Sequence, residues 1–219
     1  MTFSITARSE DTGEIGVAVA TAWFAVGSVC PAVRVGIGAV ASQALVNANL
    51  RTACLDRIAL GVQPDLALAE ALETDASPEQ RQLGVVDAGG RVAAHTGEGC
   101  PDEAGHRIDR GCVIAGNTLS SIEVLNAMQS SWSETRGCDL ALAERMLMAL
   151  QAGQLAGGDA RGRQSAALLV ADVNPMIQID LRVDDHSEPL AELRRLLTLF
   201  RETYEPIHRA LPGTSHSGP

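Results

Sequence analysis

Strand-like runs in this chain come in neighbouring pairs, joined by turns too short for a crossover. Residues 3–8 and 15–21 read as strands around Asp11-Thr12-Gly13, and 32–37 and 38–43 as strands broken at Gly36 and Gly38. Gln82-Leu83-Gly84-Val85-Val86 meets Arg91-Val92-Ala93-Ala94 across Asp87-Ala88-Gly89-Gly90, a strong hairpin signal. Parallel strands need a connection of a dozen residues or more, so these runs pair antiparallel. Between the strand groups lie pairs of segments with helical spacing. Residues 48–60 carry Leu50, Cys54 and Ile58 on one face, and 65–74 carry Leu66, Ala69 and Leu72, with Pro64 where a helix start tolerates it.

The same alternation continues to the end. Residues 96–111 read as a long loop, Cys112–Ala115 as a short strand, and 119–131 and 139–151 as helices. Gly153–Gly162 reads as a second loop. Strands at 165–171 and 176–183 join at Asn174-Pro175, and an amphipathic helix spans 188–203. Residues 205–219, with Pro, Gly, Ser and His, read as a tail, which leaves one domain over 1–204. The order of strands, helix pair, strands, helix pair, strands and helix fits two antiparallel sheets sandwiched between helix layers.

Composition narrows the function classes. Hydrophobic residues make up 46% of 219 residues and aromatics only 3%, so aliphatic side chains must fill a folded core. Aromatic poverty also implies a pocket that does not rely on extensive ring stacking. The net charge of −10 argues against a nucleic-acid partner and against an anionic membrane surface. All 17 basic residues are Arg, so no Lys nucleophile or Schiff base exists. Five cysteines, odd in number and with no C-x-x-C spacing, point to a reducing cytoplasm and away from a disulfide framework. Residues 15–33 lack charge over a length that raises the question of a membrane span. Gly16, Gly27, Ser28 and Pro31 within it, and the acidic residues before it, make it a buried strand, a turn and a second strand.

Several blocks carry a resemblance. Thr2-Phe3-Ser4-Ile5, Arg81–Asp87, Ala104-Gly105-His106-Arg107, Gly116-Asn117, Gly157–Ala166 and Asp180–His186 resemble the bacterial domain-of-unknown-function family 1028 over roughly residues 1–200. That resemblance implies a four-layer αββα fold like that of the N-terminal-nucleophile (Ntn) hydrolases. It implies no settled reaction. In Ntn enzymes the nucleophile opens the first strand of one sheet, the position of Thr2 here. Proteasome-like members also carry a basic residue on a later strand, and Arg34 lies 32 positions on. They carry an Asp where this chain has Thr21, and most members of the family carry a Trp where this chain has Asp102-Glu103.

The residues themselves leave paired readings. Thr2, once Met1 is removed, carries its own general base in its α-amine, or it is simply the first residue of a strand. Gln43 and Asn47 can form an oxyanion hole, or Asn47 can open a helix. His106 can hold a loop or, with His95, Cys100, Glu98 and Asp102, bind a metal, although the spacing fits no standard zinc pattern. Asn117 can orient a substrate carbonyl or cap the next helix. Asp159, Arg161 and Arg163 can capture a small anionic or amide substrate. They can equally pair internally, Asp159 with a neighbouring Arg, and Arg161 and Arg163 with Asp184 and Asp185. Asp184-Asp185-His186 reads as a helix cap ahead of an Asp-Asp-His metal site.

The leading expectation is an Ntn-like amidohydrolase for a small amide, peptide or cyclic amide, without metal or other cofactor. Thr2 is its nucleophile, Arg34 its cation, and Gln43 or Asn47 its oxyanion donor. The alternatives are a non-catalytic ligand-binding or assembly module on the same scaffold, and a metal-dependent hydrolase using His95, His106 or His186. A homo-oligomer is expected by analogy with the Ntn folds.

Overall fold

The computed structural model describes residues 2–172 and 178–210. Strands β1 (Thr2–Arg8) and β2 (Ile15–Thr21) form the central hairpin of a six-stranded antiparallel sheet. β8 (Cys112–Asn117) and β7 (Gly105–Asp109) continue it on the β1 side, β9 (Ser165–Ala171) and β10 (Gln178–Val183) on the β2 side. The second sheet is β3 (Pro31–Arg34), β4 (Gly38–Ala44), β5 (Arg81–Asp87) and β6 (Val92–Thr96), in that order and antiparallel throughout.

Three apolar layers make this a four-layer αββα sandwich. Helices α4 (Glu123–Glu134), α5 (Leu142–Leu155) and α6 (Pro189–Ala210) cover the large sheet through Phe3, Ile5, Ile114, Leu168, Met128, Leu147 and Leu193. Helices α2 (Asn49–Ala59) and α3 (Pro64–Glu73) cover the small sheet through Leu50, Cys54, Leu68, Leu83 and Val85. Ile15, Val17, Val19, Ala39, Ala41, Val86 and Val113 fill the space between the sheets. These residues are small because the sheets approach closely. A Cβ on Gly84 would stand 2.9 Å from Val113 Cγ1. The low aromatic content is thus matched to a thin inter-sheet layer.

The expected fold class is observed, with changes at the element level. The loop expected over 96–111 contains β7. As an edge strand rich in polar residues, Gly-His-Arg-Ile-Asp shows no clean alternation. A short helix, α1 (Val26–Val29), fills the turn before β3. β3 stops at Arg34, because Gly36 takes a left-handed φ of 69°. Helices α4 and α5 begin and end about three residues later than their apolar spacing predicts. Thr118 is itself left-handed, and Leu119 bridges to Asp159, which holds the chain out of helix until 123. Helix α6 runs to Ala210, beyond its expected end at 203. The expected joint at Asn174-Pro175 and the tail residues 211–219 lie outside the described residues. No described helix is long and apolar enough to cross a membrane.

Candidate functional site

Strand alternation delivers a polar cluster to one end of the inter-sheet layer. Phe3, Ile5 and Ala7 of β1 face the helices, so Thr2, Ser4 and Thr6 face the other sheet. The same parity turns Thr21, Gln43, Gln82 and Asn117 inward from the ends of β2, β4, β5 and β8. Thr2 is 6% exposed and its hydroxyl contacts that of Thr21 at 3.4 Å.

Gln82 is the hub of a wholly uncharged network. Its Oε1 accepts from Gln43 Nε2 at 2.8 Å and from Asn117 Nδ2 at 2.9 Å. Its Nε2 donates to Gly116 O, Gly105 O and Thr96 Oγ1. Thr96 in turn contacts His106 Nδ1 at 2.9 Å. Gln43 Nε2 also reaches the Thr2 carbonyl, at a long 3.5 Å, and Cys30 Sγ lies 3.8 Å from Gln43 Oε1. Burial pushes the Cys30 thiol up to about 12, so it stays neutral and is no nucleophile. Burial, with the charges of His95 and Arg107, pulls His106 below its usual value and favours the neutral ring. Asn117 Oδ1 is buried without a hydrogen-bond partner.

Thr2 lines a cleft of about 510 Å³ with Trp23, Val26, Val29, Ala44, Leu45, Val46, Ala48 and Arg161. A second recess of about 310 Å³ shares Ala44 and Leu45 and reaches Asn117. Trp23, one of only two tryptophans, is 64% exposed at the rim. The Arg161 guanidinium lies 5.7 Å over its ring. Ring stacking at the cleft is therefore available despite the aromatic-poor composition. Three non-glycine residues around this end, Ala25, Ala44 and Thr118, hold positive φ angles of 51°, 68° and 46°. Each such residue costs on the order of 1–3 kcal/mol, and strain of this kind gathers at functional sites.

Asp159 belongs to the same end. It is buried, accepts from Ala22 N at 2.7 Å and from Arg161 N at 2.9 Å, and pairs with the Arg161 guanidinium at 3.5 Å. A carboxylate thus reaches the end of β2 from another loop, although position 21 is threonine. Gly157 makes that loop possible. Its φ is 120°, and a Cβ there would sit 2.1 Å from Ser120 Oγ.

The structure does not bring the other expected residues to Thr2. Arg34 pairs with Asp56 of α2 at 2.8 Å. It lies opposite Gly38, five residues along β4 from Gln43 and so roughly 16 Å away. The 32-residue spacing misled because the strand runs away from the site. Asn47 is committed to Asp75 through Nδ2 and to Asn49 N through Oδ1, which supports the helix-start reading. Asn117 does not cap a helix, since α4 starts six residues later. Arg163 pairs with Glu188, Asp185 with Gln164, and the Asp184 carbonyl with Ala25 N, so the expected Arg–Asp184/Asp185 pairs are absent. His186 Nδ1 accepts from Glu188 N, one residue before α6, and so shapes the entry to that helix without bonding one of its own N–H groups. His95 bonds Pro78 O, and Cys100 bonds Arg81 O. No group of three His, Cys, Asp or Glu suited to a metal occurs among the described residues.

Gln82, Thr96, Cys30 and Trp23 were not singled out from the sequence. A usable signal existed for Gln82: an amide at an inward position of an otherwise apolar strand.

The model of the family of unknown function DUF1028 matches residues 2–193. This chain belongs to that family. A DUF1028 protein from Silicibacter pomeroyi, known from its crystal structure, is 31% identical, with a TM-score of 0.83 over 91% of this chain and 89% of that one. Anbu (ancestral beta-subunit) from Yersinia bercovieri covers 96% of this chain and 98% of its own at 12% identity. Its TM-score is only 0.42, too remote to carry an argument. No curated protein matches. DUF1028 membership establishes the relationship and the fold, and leaves the chemistry to the site.

Proposed function

We propose that this protein is an N-terminal-threonine amidohydrolase acting on a small amide or peptide. The observation that carries this reading is Thr2 itself, opening a central strand with its side chain in the wall of a 510 Å³ cleft. Removal of Met1 frees the Thr2 α-amine. The amine takes the Oγ1 proton as Oγ1 attacks the substrate carbonyl carbon. The C–N bond then breaks and the amine product leaves with that proton. Water, deprotonated by the same α-amine, hydrolyses the ester and restores Thr2. Asp159 and Arg161 hold the adjoining loop. The apolar wall of Val26, Val29, Leu45 and Val46 with Arg161 at the rim favours a substrate with an aliphatic body and a terminal carboxylate.

A second reading, a ligand-binding module without catalysis, draws on a different observation. Arg34 stands away from Thr2, and Gln43 spends its amide inside the network. One experiment separates the two. Intact mass of native protein should show a chain beginning at Thr2, and an amide library should be cleaved by wild type and Thr2→Ser. Thr2→Ala should lose about 10³-fold or more. Retained Met1 in every molecule, or an equally active Thr2→Ala, would overturn the enzyme reading in favour of the module. The expected homo-oligomer is tested on the same samples by light scattering.

A further inference from the structure

The far end of β1 holds a cavity unlike the Thr2 cleft. It measures about 150 Å³ and is lined by Arg8, Glu10, Asp11, Arg110, Trp132, Arg136, Gly137 and Arg145. Two of the four arginines are neutralised locally, Arg110 by Glu10 at 2.7 Å and Arg136 by Asp109 at 2.6 Å. Arg8 and Arg145 have no ion pair among the described residues.

Arg145 is 8% exposed, stacked on the Trp132 ring at 3.9 Å and bonded through Nε to Thr135 Oγ1 at 3.2 Å. Its two amino groups make no hydrogen bond among the described residues. Burial lowers its proton affinity, while its amino groups open to the cavity. The Nε of Arg8 and the Nε1 of Trp132 are also buried, with no acceptor among the described residues. Buried donors are rarely left so, and an unsatisfied group calls for an explanation. Here two orphaned donors and an unpaired guanidinium belong to side chains lining one cavity.

The geometry points to a binding site for a small tetrahedral oxyanion, phosphate or sulfate, held by the guanidiniums of Arg8 and Arg145 beside the Trp132 ring. The two guanidiniums come from different elements, β1 and α5, so they do not form a single planar fork. A cavity of 150 Å³ holds a guest about the size of benzene, so a few heavy atoms fit. Glu10 and Asp11 also line the cavity, and both are exposed. They restrict the site to compact anions. The site is independent of Thr2 chemistry, as β1 separates the two by roughly 20 Å.

The test uses inorganic phosphate and the full chain at constant ionic strength. Wild type should bind phosphate saturably, one per chain, with a dissociation constant of about 1 mM or tighter. Phosphate should shift the Trp132 indole N–H resonance and leave that of Trp23, assigned by Trp23→Phe, in place. Arg145→Gln should weaken binding tenfold or more, and Thr2→Ala should leave it unchanged. Should Arg145→Gln fail to fold, Arg8→Gln carries the same expectation of weakened binding. Non-saturable binding, an unmoved Trp132 signal, or unaltered affinity in the folded variants would overturn the site. Acetate competing as well as phosphate would overturn its tetrahedral character.

Discussion

The two ends of β1 solve the burial of polar groups in opposite ways. At the Thr2 end the inward groups are neutral amides and hydroxyls, and Gln82 joins Gln43 and Asn117 in a connected network whose one open valence is Asn117 Oδ1. At the Arg8 end the buried Arg145 and the half-buried Arg8 have no ion pair among the described residues, while Arg110 and Arg136 are exposed and paired with acids. Neutral amides can be buried completely if every donor finds an acceptor, whereas an unpaired cation must stay near water or await an anion. The Thr2 end is therefore a hydrogen-bonded neutral wall beside the Thr2 hydroxyl. The Arg8 end is built as a receptor. Between the two ends the inward face of β1 carries only the small buried hydroxyls of Ser4 and Thr6, so no amide or charged side chain links the two polar clusters.

The largest expected effect comes from breaking the neutral network. Gln82→Leu removes the acceptor of Gln43 and Asn117 and the donor to two backbone carbonyls. At about 1–3 kcal/mol for each buried group left unsatisfied, the loss should be on the order of 3–5 kcal/mol. Urea denaturation reads it, and a change below about 1 kcal/mol would show that the network is not the wall proposed. Asp159→Ala is next. It strips the acceptor from Ala22 N and Arg161 N, so about 2 kcal/mol of stability should go, and with it the placement of Thr21 beside Thr2.

Arg161→Ala sharpens the comparison by testing whether the Thr2 cleft uses its one cation. Stability should barely move, since the Arg161 side chain is 40% exposed. KM for carboxylate-bearing amides should rise roughly tenfold with kcat little changed, the mark of lost uniform binding. An equal rise for neutral amides would argue that Arg161 shapes the cleft only.

The smallest effect is a pH dependence. His106 titrates below its usual 6.5 in the folded chain because of burial, His95 and Arg107. As pH falls through 6.5, the unfolded chain takes up a proton before the folded one does. Stability should therefore decline below pH 6.5, until His106 is protonated in the fold as well. His106→Asn should flatten that part of the curve. An unchanged slope would place the titration elsewhere.

Much of this architecture is readable from residue order. Short turns such as Asp87-Ala88-Gly89-Gly90 make antiparallel pairing unavoidable, and Gly90 takes its left-handed φ of 82° as that turn requires. Apolar spacing located every long helix, though not its ends, because the ends depend on contacts such as the Leu119–Asp159 bridge. β7 escaped notice because an edge strand need not alternate. The candidate site was legible only in part. Thr2 stood out by position and Asp159 with Arg161 by local chemistry, whereas Gln82 and Trp23 are unremarkable in their own neighbourhoods.

What the sequence by itself determined is parity and punctuation: which residues share a strand face, where the chain must turn, and that a thin, aliphatic layer separates two sheets. Those are local properties, set by backbone geometry and side-chain period. Only the tertiary structure decided which strand ends meet. It set Arg34 at the end of β3 away from Thr2, brought an acid from the 157–162 loop to the end of β2, and closed Arg8, Trp132 and Arg145 around one cavity. Such meetings depend on sheet order and register between segments more than a hundred residues apart, which no local pattern encodes.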